Sequence, residues 1–329
     1  MTKAPKYYKS AVNVVIENMK ESLYKAAPYS NSCISTLDPV SSLSTGAVTD
    51  SVIQDIHASL LKHAYQEDEF YQQTTEILVE NIHPRNAGEI TPQYENLLAE
   101  GYVDELRGLL VADKYCWGRF SLFRQIGEQP FSQKEIALAS EVAKEFACKF
   151  RDEICRASLS ESKFTAYGLF ICSMDHKVLW KDEAGAEILQ ELRNDEQLIE
   201  ETLLPSSVLA IIIQLKQQPT AAVSLLVRNS SNQGFYMMKG SIVKGVGESV
   251  AVSIIVQPAG MEELRPYKEQ SYGFTPRESE VLELLLEGCT TNQIAQNLYI
   301  SPHTVLDHCK SLLQKSDSAN RKQMMRIFL

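Results

Sequence analysis

Apolar residues recur at three- and four-residue steps in several stretches of the chain, which predicts helices that bury one face. The first such stretch covers residues 7–25, and the longest covers about 133–158. Shorter runs rich in β-branched and aromatic residues lie between and after these stretches and predict strands. Residues 274–329 carry the helical period alone. This order predicts a multidomain chain, in which two α+β modules precede an all-α domain.

The long stretch at 133–158 has apolar and small residues at alternating four- and three-residue steps. A seam of this kind pairs two helices in a coiled coil, which predicts a dimer contact. The alternative is that the helix packs on the sheet of its own module, because Ala139, Val142 and Phe146 widen the apolar stripe. The seam consists of Ile136, Ser140, Ala143, Ala147, Phe150, Ile154 and Ala157.

The rest of the first module alternates between helical and strand patterns. Residues 33–50 contain a short apolar piece and then a loop rich in serine, proline and glycine. The remaining predicted elements are helices at about 51–66, 67–81 and 92–99 and strands at Glu105–Ala112 and Tyr115–Phe123, joined by a turn at Asp113-Lys114.

A second α+β module is predicted from residues 164–257. Two strands come first, a short helix follows, and three strands close the module. These elements are Tyr167–Ser173, Val178–Trp180, Ala184–Leu192, Ala222–Arg228, Phe235–Lys244 and Ser249–Gln257. Residues 258–273 contain two prolines and two glycines, a composition that predicts an interdomain linker.

Three helices of the C-terminal segment carry their own start signals. Thr275-Pro276-Arg277-Glu278 is a capping box with proline at the first helical position, and Thr290-Thr291-Asn292-Gln293 is a second one. Gly288 ends the first helix, and Ser301-Pro302 begins the third. A fourth helix, from about Asn320, shows no comparable cap. Helix, short turn, helix and a Ser-Pro corner are the layout of a helix-turn-helix DNA-binding domain.

The apolar residues of this segment could equally close any small helical bundle, but the order of the caps favours the helix-turn-helix. They are Val281, Leu282, Leu284, Leu285, Ile294, Ala295, Leu298, Ile300, Val305, Leu312 and Leu313.

The same segment resembles the C-terminal domain of LuxR/GerE-type transcriptional regulators. The resemblance covers about a sixth of the chain and implies a DNA-binding domain at 274–329. The matching residues are Thr275, Pro276, Arg277, Glu278, Val281, Leu282, Gly288, Ile294, Ala295, Leu298, Ile300, Ser301, Thr304, Val305, His308, Lys310, Asn320 and Arg321.

The resemblance also implies which residues meet DNA. Leu306, Asp307 and Lys310 are expected to face the bases. Leucine can contact a thymine methyl, aspartate can accept from a cytosine amino group, and lysine suits guanine or phosphate. The remaining candidates are Asn292 in the second helix and, for contacts with the DNA backbone, Ser301, His303, Thr304, Lys315 and Arg321.

Several residues depart from the family pattern. Leu306 replaces a frequent lysine or glutamine, and Asn292-Gln293 replaces a frequent Lys-Glu. Asp317 and Ser318 stand near the usual Gly-Val, which predicts looser packing of the fourth helix and puts dimerisation through that helix in doubt. These departures indicate either a different operator or a weak, partner-dependent DNA binder.

Two looser resemblances concern the sensor half. Residues 116–124, followed by Pro130-Phe131-Ser132, are similar to the last strand and exit helix of a GAF domain, and the element order of the second module is similar to a PAS domain. The implied domains are 1–158, GAF-like, and 159–257, PAS-like, with a linker at 258–273. Modules of these kinds either bind a small molecule or only dimerise. The candidates for lining a ligand pocket are Tyr115, Trp117 and Trp180.

Charge and composition limit the remaining possibilities. The chain has 329 residues and a net charge of −10, whereas residues 274–329 have six basic and six acidic residues. An acidic body joined to a neutral DNA-binding domain weakens non-specific DNA binding. The seven cysteines fit no zinc or disulfide spacing; Cys116, Cys148 and Cys155 are candidates for redox sensing, with inert thiols as the alternative. We expect a cytoplasmic protein without a cofactor, transmembrane helix or signal peptide.

The sequence therefore predicts a signal-responsive transcriptional regulator, a homodimer that binds a two-fold DNA site. No P-loop, H-E-x-x-H or G-x-S-x-G motif is present, so no enzyme is predicted. The alternative is an interaction protein with a degenerate DNA-binding domain, which acts as a decoy or anti-regulator.

Overall fold

The chain divides into two compact units, Met1–Ala259 and Gly260–Leu329. The computed structural model describes residues 11–54, 79–82, 92–155, 167–219, 222–229, 234–245 and 250–329. Most of the helices predicted at 51–66 and 67–81 lies outside these ranges. Within them, no helix is long and apolar enough to cross a membrane.

The first unit contains two antiparallel five-stranded sheets with helices, and the second unit is entirely helical. This confirms the predicted order of two α+β modules and an all-α domain. The elements of the first unit are α1 (Ala11–Ala26), β1 (Asn31–Leu37), β2 (Ser44–Thr49), a 3-10 turn (Ser51–Ile53), β3 (Val79–Ile82), α2 (Pro92–Ala99), β4 (Tyr102–Ala112), β5 (Tyr115–Gln125), α3 (Gln133–Cys155), β6 (Gly168–Ser173), β7 (Val178–Lys181), α4 (Glu183–Asp195), α5 (Ser206–Gln217), β8 (Val223–Asn229), β9 (Gly234–Lys244) and β10 (Val250–Pro258).

Sheet A has the strand order β2-β1-β5-β4-β3. Helices α1 and α3 cover one face, where Ile16, Leu110, Trp117, Phe120 and Phe150 are among the buried core residues. The predicted β4–β5 hairpin is confirmed, and its turn residues Asp113 and Lys114 both have positive φ. Such φ values at both central positions match the right-handed twist of the flanking strands.

Two predictions in sheet A were wrong. Residues 33–50, interpreted as a short apolar piece followed by a loop, lie largely in the β1–β2 hairpin, and the Asp38 side chain holds its turn by accepting from the backbone amides of Val40 and Ser41. The predicted helix at 67–81 is contradicted at its end, where Val79–Ile82 pairs with β4. Serine and threonine in β1 and β2 masked the strand pattern, because these residues also favour turns.

The long helix α3 packs on its own sheet, as the second interpretation of its pattern predicted. Seam residues Ala143, Ala147 and Phe150 are buried together with Ala139 and Phe146 in the core that α3 shares with α1 and sheet A. Because these three seam residues pack within their own chain, they do not form the predicted coiled-coil contact.

Sheet B has the strand order β7-β6-β10-β9-β8, and α4 and α5 pack on one face. All five predicted strands are present with small shifts at their ends. Helix α5 was missed because residues Val208 to Ile213 are apolar and buried on every side. A run without polar positions has no helical period to recognise.

The two sheet modules share buried contacts. Leu43, just before β2, belongs to the core formed by α4, α5 and sheet B. The buried Gln54 side chain donates to the carbonyls of Thr49 and Gln197 and accepts from the Ile199 amide at 3.1 Å. The Asn13 side chain donates to the Asp195 carbonyl at 2.9 Å. The two modules therefore form one folded body.

The second unit consists of five helices, and its first helix lies in the segment predicted to be a linker. Glu263 accepts from the Gly260 amide at 2.8 Å and closes the first turn of this helix, α6. Lys268 of α6 donates to the Ile327 carbonyl, and burial lowers the pKa of Lys268 to about 8. The helices are α6 (Met261–Ser271), α7 (Pro276–Leu286), α8 (Thr291–Asn297), α9 (Pro302–Lys315) and α10 (Arg321–Phe328).

Local signals set the helix ends in this unit. Thr275, Thr290 and Ser301 cap α7, α8 and α9 as predicted. The prediction that the fourth helix lacks a comparable cap was wrong, because Asn320 caps α10 by accepting from the Gln323 amide at 2.9 Å. Asparagine is as good a cap as serine or aspartate, so this signal was readable in the sequence.

Candidate nucleic-acid interface

Helix α9 divides cleanly into a buried and an exposed side. Val305, Cys309 and Leu312 pack into the core of the unit, at the spacing of one helix face. The opposite side carries four exposed residues at helical spacing, which we call the reading ridge: His303, Leu306, Asp307 and Lys310. A ridge of this kind at the start of a helix is the part that a helix-turn-helix domain inserts into the major groove.

Glu278 of α7 fixes the other end of α9. Its carboxylate accepts from Lys315 at 2.7 Å, from Ser311 at 2.5 Å and from the Thr275 amide at 2.7 Å, and its side chain is only 6% exposed. Burial raises the pKa of Glu278, but the hydrogen bonds from Lys315, Ser311 and Thr275 outweigh it and lower the pKa to about 2. The capping-box glutamate thus also ties α7 to α9.

The reading ridge contains a row of charged side chains. One carboxylate oxygen of Asp307, Oδ2, lies 3.1 Å from His303 Nδ1, and the other, Oδ1, lies 3.7 Å from Lys310 Nζ. All three side chains are more than half exposed. Leu306 is 45% exposed beside them. The ridge therefore offers an acceptor, a donor and an apolar group within two helical turns.

The other predicted DNA contacts divide into exposed and occupied side chains. Asn292 is exposed in the first turn of α8, and the Ser301 and Thr304 hydroxyls lie 2.9 Å apart at the start of α9. Lys315 is bound to Glu278 and to the Gly273 carbonyl. Arg321 donates to Cys309 Sγ at 3.1 Å. Lys315 and Arg321 thus serve the packing of the unit, and their role as phosphate contacts stays a prediction.

Tyr299 is a surface residue that the sequence reasoning missed. It lies in the turn between α8 and α9, is 95% exposed and has a φ of 53°. The amide of Ile300 donates to the Ala295 carbonyl at 3.0 Å, which closes α8. The signal in the sequence was an aromatic residue directly before the Ile300-Ser301-Pro302 corner.

The departures at 316–318 do not loosen α10. Asp317 has a φ of 48° and supplies the left-handed residue that ends α9, and aspartate tolerates this conformation better than most residues do. Ser318 is buried, and its hydroxyl hydrogen-bonds the Ser316 carbonyl at 3.3 Å. Met324 and Phe328 of α10 are fully buried. The expectation of looser packing was therefore wrong.

The three aromatic candidates for a ligand pocket are not brought together. Trp117 is fully buried beneath α1 and α3, and its indole donates to the Ala112 carbonyl at 3.2 Å. Tyr115 packs at the edge of the same core. Trp180 is 52% exposed on β7 of sheet B.

The face of sheet A that points away from α1 and α3 carries buried polar residues. Arg107, Arg119 and Ser35 alternate along their strands with core residues such as Leu106 and Phe120, so they point to the opposite side. Arg107 and Arg119 are 6% and 7% exposed. The sequence reasoning missed this face because single arginines inside apolar strands carry no motif.

Among the cysteine side chains that the structure describes, four are buried, and the Cys155 side chain lies outside the described residues. Cys33, Cys116, Cys172 and Cys309 are buried free thiols, and burial raises their pKa, to about 11 for Cys116 and about 12 for Cys172. A raised thiol pKa lowers reactivity, because the thiolate is the reactive form. Cys148 is exposed. Over the same described ranges, no cluster of histidine, cysteine and carboxylate side chains could hold a metal ion.

Comparison with known proteins shows which family the C-terminal unit resembles. Residues 273–328 match the family model of bacterial regulatory proteins of the luxR family. The spore germination protein GerE of Bacillus subtilis (strain 168) is 45% identical over 49 residues, which are 15% of this chain and 66% of that protein. The transcriptional regulatory protein DegU of Brevibacillus brevis is 39% identical over 57 residues, 17% of this chain and 24% of that protein.

The likeness to these relatives is confined to one domain of this chain. The chain spans less than two thirds of the length of either relative. GAF3 from Slr1393 of Synechocystis sp. PCC6803 shares 12% sequence identity over 46% of this chain and 100% of that one, with a TM-score of 0.36. A TM-score this low assigns no fold. The family model, the two relatives and the arrangement of α7, α8 and α9 agree that residues 273–328 are a LuxR/GerE-type helix-turn-helix domain.

Proposed function

We propose that this protein is a transcriptional regulator that binds DNA through the reading ridge of α9. The observation that carries the proposal is the division of α9, whose buried side completes a helix-turn-helix core while its exposed side presents His303, Leu306, Asp307 and Lys310. A helix so arranged can enter the major groove without disturbing its own domain.

The proposal includes a homodimer and a signal. Two copies with recognition helices about one DNA turn apart would grip a two-fold site. The first unit is the candidate sensor, as a GAF-like and a PAS-like module joined by buried contacts.

Capture of genomic DNA at low salt tests the proposal directly. The full-length protein is incubated with fragmented DNA from its host, and the retained fragments are sequenced. We expect enrichment of a limited set of fragments with a shared two-fold motif. Failure to retain any fragment would sink the proposal.

Salt dependence gives a quantitative test. Six basic residues lie in residues 274–329, and Lys315 is bound to Glu278. Contact of about two of the others with phosphates would neutralise about four phosphate charges in a dimer. We expect the logarithm of the binding constant to fall with the logarithm of salt concentration with a slope of roughly −4. Fluorescence anisotropy of a labelled operator duplex measures it. A slope near zero would contradict contact with phosphates.

Lys310 is expected to contribute to operator affinity. Its side chain is 78% exposed at the C-terminal end of the ridge, so Lys310→Ala leaves the core untouched. Loss of a contact to guanine should weaken operator binding by about 1–3 kcal/mol. Anisotropy titrations of the wild type and the variant measure the difference. Lys144→Ala, which removes an exposed lysine from α3, is the control and should bind as the wild type does. Equal affinities for all three proteins would remove Lys310 from the interface.

A decoy or anti-regulator is the second candidate, and one observation favours it. The ridge carries an acidic residue, Asp307, at its centre. Two cations of the domain, Lys315 and Arg321, are already bound to Glu278 and Cys309. A decoy would retain no specific DNA and would instead lower the operator binding of a partner regulator. Adding the protein to such a regulator on its operator separates the two functions.

A further inference from the structure

Asp307 is the least expected residue on the reading ridge. A carboxylate at the centre of a DNA-contacting surface is repelled by the phosphates that line both edges of the groove. Asp307 nevertheless projects from the exposed side of α9 with a side chain that is 56% exposed. This repulsion is offset only where the carboxylate meets a hydrogen-bond donor, and base edges in the major groove supply such donors.

The carboxylate of Asp307 lies between the side chains of His303 and Lys310. Its Oδ2 atom faces His303 Nδ1 at 3.1 Å, one helical turn earlier, and its Oδ1 atom faces Lys310 Nζ at 3.7 Å, one turn later. His303 is thus a positioning residue for Asp307. The result is an acceptor, Oδ1, and a donor, Nζ, side by side on the surface that meets DNA.

This acceptor–donor pair matches one base pair. In a C·G pair the cytosine N4 amino group donates and the guanine O6 atom accepts, and the two groups are hydrogen-bonded to each other, so they lie about 3 Å apart. The spacing of Oδ1 and Nζ is close to this distance. Guanine N7, a second acceptor, lies beyond O6 within reach of the lysine.

The other base pair fits less well. In an A·T pair the adenine N6 amino group lies between two acceptors, adenine N7 and thymine O4. A carboxylate placed on that amino group would face an acceptor on each side, and the lysine would lose one of its two acceptors. The geometry therefore favours C·G over A·T.

We propose that Asp307 and Lys310 act together to read one C·G base pair in each half-site, with Asp307 on the cytosine amino group and Lys310 on the guanine. This inference rests on the proposed function, because it names the sequence that the same surface recognises. It assigns Asp307 to base selection.

Selection from a randomised duplex library tests the inference with the full-length protein. We expect the wild type to enrich a motif with one C·G position per half-site, preferred about 10- to 100-fold over other pairs. Asp307→Ala should reduce this preference about tenfold at the same position, and Lys310 accounts for the preference for guanine that remains. Asp307→Asn should shift it towards A·T, since an asparagine amide pairs with the N6 and N7 atoms of adenine.

A matched control separates base reading from charge. Asp317→Asn removes the same charge from the same domain, away from the ridge, and asparagine tolerates the positive φ at this position. It should keep the wild-type motif. A motif without the C·G position, or one that persists unchanged in Asp307→Ala, overturns the inference while the proposed function stands. If the wild type enriches no motif at all, both are overturned.

Discussion

Glu278→Gln is expected to destabilise the helix-turn-helix domain by about 2–3 kcal/mol at pH 7. The substitution keeps the size of the side chain but removes the charge that holds Lys315 and accepts from Ser311 and the Thr275 amide. Breaking a buried ion pair costs more than breaking a surface pair, because the remaining groups stay partly desolvated. Lys315 is 31% exposed and can regain some water, which keeps the cost below that of a fully buried pair.

The same carboxylate makes the stability of the domain depend on pH. Its pKa is about 2 in the folded domain and 4.5 in its ordinary state. Because the folded-state pKa is the lower one, the stabilisation is complete above about pH 4.5 and is lost as the pH falls towards 2. The difference in stability between the wild type and Glu278→Gln should therefore shrink across that window and stay constant above it.

Hydrogen exchange of the full-length protein measures this effect at neutral pH. Peptides from α9 should exchange about 30- to 150-fold faster in the variant, as a loss of 2–3 kcal/mol requires. Glu280→Gln is the matched control, since Glu280 lies on the same helix and pairs with Arg277 on the surface. Surface pairs contribute about 0–1 kcal/mol. Equal effects of the two substitutions would contradict the anchoring role of Glu278.

Trp117→Ala is expected to destabilise the first unit by about 3–5 kcal/mol. The indole is fully buried beneath α1 and α3, so its removal leaves a cavity and takes one hydrogen bond from the Ala112 carbonyl. Unfolding in urea, followed by the fluorescence of Trp180, measures the loss. The chain has only two tryptophans, so each substitution leaves one of them as the probe.

Trp180→Phe is the control for this experiment. Trp180 is 52% exposed on β7, and substitutions at such positions usually change stability by less than about 0.5 kcal/mol. Its unfolding is followed by Trp117. If Trp117→Ala leaves the stability nearly unchanged, Trp117 does not belong to the core, and the sequence-based assignment to a ligand pocket regains its basis.

The elements that the sequence predicts best are those whose determining residues lie close together in the chain. Thr275 and Glu278, or Thr290 and Gln293, complete a helix start within four residues, so both partners can be read at once. The bond between Glu278 and Lys315 joins residues 37 apart, and only the packed domain brings them together. For the same reason Lys315 was interpreted as a DNA contact, although its ammonium group is occupied inside the domain.

In the first unit as well, prediction depends on whether an element shows a clear local pattern. The β4–β5 hairpin has a tight turn and apolar strands, and both were recognised. The β1–β2 hairpin is rich in serine and threonine and α5 is apolar throughout, so neither shows the alternation of apolar and polar residues that identifies an element. Trp117 lies in sheet A and Trp180 lies in sheet B. Whether they lie near each other depends on how the two sheets are arranged, which no local pattern encodes.

The shared core of the two sheet modules has a consequence for building chimeric proteins. Leu43 lies in the first module but packs with the second, and Gln54 bonds backbone groups of both. A fusion joined near residue 158 would separate these partners and expose apolar surface on each side of the junction. The boundary between Ala259 and Gly260 cuts neither core, so it is the natural position for joining either unit to another protein.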